Sequence, residues 1–121
     1  VKLAVATGKS RKGLDRVLKQ TESVELFAVT RAASETRSKP DPLMLAEILS
    51  ETGVASHEAI MVGDTSYDLE MAQKIAMPRV GVSYGVHTPE TLAQFNPLTI
   101  VHDIRSLNSF LLAKVQWKEA I

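Results

Sequence analysis

Short apolar runs alternate with segments of helical period along almost the whole chain, and this alternation restricts the possible fold more than any other feature. Residues 1–6, 24–30, 59–63, 79–83 and 98–101 are rich in β-branched and apolar side chains and read as strands. A helix is expected over residues 10–20, where Leu14, Val17 and Leu18 share a face, and another from Pro42 to about Thr52, where Leu45, Ile48 and Leu49 do. Gly53 supplies the stop for the second. A third helix over residues 66–76 buries Leu69, Ala72 and Ile75 before Pro78 ends it. Thr88 and Pro89 start a short helix to about Phe95, and a closing helix runs from Ser106 to about Lys118. Residues 31–40 show no period and read as a loop. Strands separated by helices imply a parallel sheet joined by right-handed crossovers, so the fold class is α/β and Rossmann-like, with helices flanking the sheet.

Composition narrows the function classes. The 121 residues carry 14 Lys plus Arg and 14 Asp plus Glu, so no global charge draws the chain to nucleic acid or to an anionic membrane surface. Any anion it binds has to be gripped locally. No cysteine is present, which removes disulfides and thiolate metal sites and fits a reducing cytoplasm. No apolar stretch approaches the roughly 20 residues of a membrane helix. A hydrophobic content of 45% suits one folded domain, read here as residues 1–121. The chain begins at Val1 and runs directly into an apolar strand, as expected of a segment cut from a longer domain.

In parallel sheets ligands bind beyond the carboxyl ends of the strands. The residues there are Thr7 and Gly8, the loop holding Lys39, Asp64, and the loop from Tyr84 to His87. Asp64 and Asp68 lie four apart at the start of a helix, where both reach one point; two carboxylates so placed repel unless a cation lies near, and their oxygens suit Mg2+. A plainer reading has Asp64 and Ser66 capping the helix and Asp68 favouring its positive end. Lys39 stands beside Pro40 with Pro42 close behind, a compact charge on a stiffened loop, though a lysine before a helix is also an ordinary surface residue. Thr7 either helps cap the helix that follows or, with the Gly8 N–H, faces a phosphate. Gly8-Lys9-Ser10 is not a phosphate-binding P-loop, because the required earlier glycine position holds Leu3. A phospho-accepting receiver domain would place its acidic pair early and its lysine late, the reverse of the order here.

Assembled, these motifs resemble the haloacid dehalogenase superfamily, in its phosphoglycolate-phosphatase-like branch, from Val1 to about Leu112. Val5-Ala6-Thr7-Gly8-Lys9-Ser10 is similar to the family's second motif, Ser38-Lys39-Pro40-Asp41-Pro42 to its third, and Ile60 to Asp68, containing Gly63-Asp64-Thr65-Ser66-Tyr67-Asp68, to its fourth. Val82-Ser83-Tyr84-Gly85 with His87 is similar to the loop that follows. The resemblance implies two-step hydrolysis of a phosphomonoester through an aspartyl-phosphate. In that scheme Thr7, Gly8 and Lys39 hold the phosphate, Lys39 also neutralises charge in catalysis, and Asp64 binds Mg2+ with Asp68 supporting the metal's waters. His87 is expected to be a loop residue without a catalytic part.

The sequence departs from the family pattern in one respect that governs activity. The first motif, an apolar strand followed by Asp-x-Asp, is absent: Asp15, Asp41, Asp64, Asp68 and Asp103 each lack a second aspartate two positions on. The helical cap segment that this branch usually inserts after that motif is missing too. The expectation is therefore an incomplete core whose central first-motif strand, normally between the strands ending at Thr7 and Asp64, is not supplied. Such a chain is expected to be an inactive portion of a Mg2+-dependent phosphatase acting on a small phosphorylated metabolite, or else a non-catalytic phosphate- or metal-binding or self-association module. Expected partners are the missing upstream segment or a second copy, with no nucleic acid and no membrane.

Overall fold

The computed structural model describes residues 2–85 and 87–114. Its elements run β1 (Ala4–Thr7), α1 (Arg11–Gln20), β2 (Val29–Ala32), α2 (Leu43–Thr52), β3 (Met61–Gly63), α3 (Ser66–Lys74), β4 (Arg79–Val82), α4 (Pro89–Ala93), β5 (Ile100–Val101) and α5 (Ile104–Lys114). All strand pairings are parallel, and helices cover both faces, as the alternation requires. The expected Val1 start of β1 and the 115–118 part of the closing helix lie outside the described residues.

Each helix end has an identifiable cause. Ser10 caps α1 by accepting from the Gly13 N–H at 3.1 Å. The Asp41 carboxylate accepts from Leu43 N–H at 2.9 Å ahead of α2, and Gly53 ends that helix with φ of 69°. Thr88 caps α4, with Pro89 at its first position. Asp103 accepts from Ser106 N–H at 2.6 Å, and this bond holds its carboxyl below the usual range. The expected strand over 24–30 splits into a single 3-10 turn, Val24–Leu26, and the strand Val29–Ala32. The expected loop over 31–40 loses Arg31 and Ala32 to that strand and contains a further 3-10 turn, Ala33–Glu35.

Side-chain alternation along the strands sorts the helices onto two faces. On β2, Val29 points to a core with Met44, Leu45 and Ile48 of α2, whereas Ala32 packs with Leu14 and Leu18 of α1. The polar residues follow the same parity: Arg31 pairs with Glu47 and Glu51 on α2, and the Thr30 hydroxyl accepts from Arg11 on α1. The α2-side core continues through Met71 and Ala72 of α3 to Met77. On the opposite face Val80, Val82 and Val101 pack on Leu107 of α5. Arg11 also grips Glu35 and, with help from the Ala32 N–H, holds that carboxyl below its usual value of 4.5.

The strands form two separate sheets, β1-β2 and β3-β4-β5, and among the described residues none bridges β1 to β3. The two strands expected to flank a missing central strand therefore do not close upon each other. Both bear the mark of it. Ala4 is exposed, and Val62, in the middle of β3, is 37% exposed, whereas Val80 beside it on β4 is fully buried.

Candidate functional site

The carboxyl ends of β1 and β3 open onto two adjoining clefts of about 470 and 410 Å³. The first runs into the gap between the sheets, past Ala6, Met61 and Val62; the second opens outward past Gly8, Ser38 and Tyr67. Thr7, Lys39, Asp64 and Asp68 line both. The residues singled out in the sequence thus meet at one junction, with Gly8 on its outer side.

Thr7 is half-buried at the strand end, and its hydroxyl oxygen accepts from Lys9 N–H at 3.2 Å, which leaves its own proton to give away. Two of the neighbouring first-turn donors of α1 are committed, Arg11 N–H to the Ser34 hydroxyl at 2.9 Å and Gly13 N–H to Ser10. An anion here would meet the Thr7 hydroxyl and the Gly8 backbone. Gly8 is exposed, and a Cβ there would meet nothing within 4 Å, so the position is open rather than crowded.

Lys39 projects from the loop before α2 and forms an ion pair with Asp68, its side chain only 18% exposed and that of Asp68 5%. The loop is tied to α3 a second time by Lys74, whose ammonium donates to the Pro40 carbonyl at 3.3 Å. Lys9, by contrast, is exposed. The second Asp68 oxygen accepts from the Thr65 N–H at 3.2 Å and hydroxyl at 3.0 Å, while the Asp68 N–H donates to the Thr65 hydroxyl at 3.2 Å. This reciprocal capping box puts the cap of α3 on Thr65, not on Asp64 or Ser66. The box also brings Asp68 against Gly63 so closely that a Cβ at 63 would overlap the carboxylate.

Asp64 is half-buried, and its carboxylate accepts no hydrogen bond among the described residues, although it faces both clefts. Gly85 and His87 approach it from the other side. His87 N–H donates to the Asp64 carbonyl at 3.2 Å, and the imidazole Nδ1 accepts from Ser66 N–H at 2.9 Å. The Tyr67 ring meets His87 edge-on, centroids 5.7 Å apart. Sequence reasoning placed His87 in a loop at the strand ends but gave it no catalytic part. The contact spans 21 positions between loops, and only its proximity to the Tyr84-Gly85 turn hinted at it.

The two acids therefore differ. Asp68 has both oxygens engaged by Lys39 and Thr65, and Asp64 alone presents an uncommitted carboxylate. No group of three or more His, Cys, Asp or Glu side chains converges among the described residues. One hard oxygen ligand suits a cation such as Mg2+ that keeps most of its waters, so the donor chemistry fits while leaving the shell to be completed by other groups.

The sequence pattern of the haloacid dehalogenase-like hydrolases matches residues 1–82. The chain is 27% identical over 108 residues to a probable phosphoglycolate phosphatase of Pseudomonas savastanoi, covering 88% of this chain and 68% of that protein. It is 33% identical over 97 residues to the pyrophosphatase PpaX of Listeria monocytogenes, covering 79% and 45%. A haloacid dehalogenase-like family hydrolase from Streptococcus pneumoniae superposes with a TM-score of 0.82 at 20% identity, over 91% of this chain and 52% of that one. Apart from the first, the chain spans about half the length of the proteins it matches.

Proposed function

The chain belongs to the haloacid dehalogenase-like hydrolases, and from that membership we propose that it carries the phosphate- and cation-binding half of a Mg2+-dependent phosphomonoester hydrolase. The observation that carries the proposal is the convergence of Thr7, Lys39, Asp64 and Asp68 where the two clefts meet. Thr7 donates its free hydroxyl proton and Gly8 its N–H to phosphoryl oxygens. Lys39, fixed by Asp68 in a partly desolvated position, offsets the charge shared by phosphate and nucleophile, where a point charge counts for more than in water. Asp64 would hold Mg2+ when it is bound, and Asp68, already spent on Lys39 and Thr65, would support it from behind. When bound, the metal supplies charge neutralisation at the phosphoryl oxygens.

In this reading the attacking carboxylate comes from polypeptide other than these 121 residues, since none of the aspartates forms an Asp-x-Asp pair. The gap between β1 and β3 is the natural seat for an extended strand delivering it, because both edges offer backbone N–H and C=O groups to a parallel partner. The substrate is a small phosphorylated metabolite, and the setting is the cytoplasm; no described helix is long and apolar enough to cross a membrane.

Mixing the chain with a polypeptide that carries an apolar strand ending in Asp-x-Asp, together with a cap, tests this reading. Mg2+-dependent phosphatase activity should appear in the mixture and in neither component alone. Robust turnover by the highly purified chain would refute the missing-nucleophile argument and make Asp64 the first nucleophile to examine. A second reading, self-association without catalysis, is favoured by the same open edges; it predicts a stable dimer by sedimentation and no activity in the mixture.

A further inference from the structure

We propose that Gly85 and His87 form a clamp that fixes the direction of the Asp64 carboxylate, which makes His87 a positioning residue of the site. The clamp deepens the proposed function and rests on it in one respect, the reading of Asp64 as the cation's ligand.

Asp64 sits in the turn between β3 and α3, and its carboxylate accepts no hydrogen bond among the described residues to hold it in one rotamer. What limits it is shape. Gly85 lies against the Asp64 side chain so closely that a Cβ at 85 would overlap the carboxylate, so the bare glycine forms one wall of its pocket. His87, two residues on, holds the backbone of the same turn on both sides of Thr65. Its N–H donates to the Asp64 carbonyl at 3.2 Å and its Nδ1 accepts from Ser66 N–H at 2.9 Å.

That second bond is unusual in its partner. Ser66 is the first residue of α3, and its N–H is one of the donors that a helix leaves without an intrahelical acceptor. Thr65 already caps the helix through Asp68, so the imidazole adds a constraint that capping alone does not need. Acceptance at Nδ1 places the ring proton on Nε2, and Tyr67 braces the ring edge-on at 63°. A ligand carboxylate held from behind in this way is what a cation site requires, because outer contacts set the direction of the inner ligand.

The test uses the 121-residue chain and reads Asp64 directly by NMR, from three-bond couplings that report its χ1 rotamer and from the hydrogen exchange of the Ser66 amide. The variants are His87→Phe, which keeps a ring and removes the acceptor, His87→Asn, whose Oδ1 can stand in for Nδ1, and Gly85→Ala. Wild type should show one Asp64 rotamer and a protected Ser66 amide. His87→Phe should average the rotamer and speed Ser66 exchange by about tenfold, the order expected from one lost hydrogen bond. His87→Asn should restore both, and Gly85→Ala should drive Asp64 to a different rotamer with Ser66 still protected. If His87→Phe lowers the melting temperature but leaves the Asp64 couplings as in wild type, His87 only braces the fold and the clamp is wrong; averaged couplings in wild type would also overturn it. These readouts need no ligand. Failure of Mg2+ to move the Asp64 carboxylate signal in wild type would therefore count against the cation reading and not against the clamp.

Discussion

The two half-sheets share apolar packing but differ in where their ion pairs lie. Around β1 and β2, ion pairs are added to the apolar packing of Val29 on Met44, Leu45 and Ile48 and of Ala32 on Leu14 and Leu18: among the described residues, the pairs Arg11 with Asp15 and Glu35, Arg31 with Glu47 and Glu51, and Arg37 with Asp41 all lie between positions 11 and 51. Around β3, β4 and β5 the fastening is apolar, with Leu69, Met71, Val80 and Leu92 fully buried. Among the described residues three features join the halves: the shared core of α2 with α3, the ion pair of Lys39 with Asp68, and the hydrogen bond from Lys74 to the Pro40 carbonyl. The second is part of the candidate site. The candidate site thus sits on the seam, so Lys39, proposed to face a phosphate, also helps to align two halves that share no backbone ladder among the described residues.

The contrast can be broken most severely at the seam. Removing Asp68 leaves the Lys39 ammonium largely buried without its partner and strips the capping box from α3, so Asp68→Ala should cost about 3–5 kcal/mol in urea unfolding. A loss within the range of exposed pairs would mean that Lys39 and Asp68 are solvated independently and that the halves are aligned by apolar contact alone. Next in size is a cut in the apolar half. Leu92→Ala removes a fully buried side chain beside Gly81 and should cost about 2–5 kcal/mol. In the charged half, Arg31→Ala should cost less, about 1 kcal/mol, because Glu51 is half exposed and keeps its water, although the Glu47 Oε1 that faces Arg31 is buried. Equal losses for Leu92→Ala and Arg31→Ala would mean that the ion pairs contribute as much as apolar burial does.

The smallest expected effect sharpens the contrast through pH. Arg11 holds the Glu35 carboxyl below 4.5, so the folded state binds fewer protons there than the unfolded chain does. The pair therefore contributes stability at pH above 4.5 that fades as the pH falls through the lowered folded-state value. Glu35→Gln should lower the urea midpoint slightly at neutral pH and match wild type once Glu35 is protonated in both states. A gap between the two proteins that persists unchanged into acid would assign the effect to packing.

Much of this architecture was legible because strand and helix periods differ and because capping residues stand where helices begin: Ser10, Thr88 with Pro89, and Gly53 each do what their chemistry suggests. The ordered set Thr7, Lys39, Asp64 and Asp68 was legible for the same reason, as each follows a strand or opens a helix. What escaped depends on single-residue offsets or on contacts far apart in sequence. Asp64, Thr65 and Ser66 are all competent caps, and only the backbone geometry selects Thr65. The run over 24–30 has strand-like composition throughout, yet only Val29 finds the α2 core, and Val24 and Leu26 stay exposed. Nothing in the sequence says that Asp68 is spent on Lys39, or that His87 reaches Ser66.

Lys39, and not the exposed Lys9, is the lysine proposed to face the phosphate. Turnover of the reconstituted hydrolase, with the Asp-x-Asp strand supplied, tests this claim most directly. Lys39→Ala should lower kcat by about 10²- to 10³-fold, the scale of losing one preorganised charge at a transition state, while Lys9→Ala stays within about twofold of wild type because its side chain is exposed at the start of α1. Equal losses for the two lysines would contradict the claim.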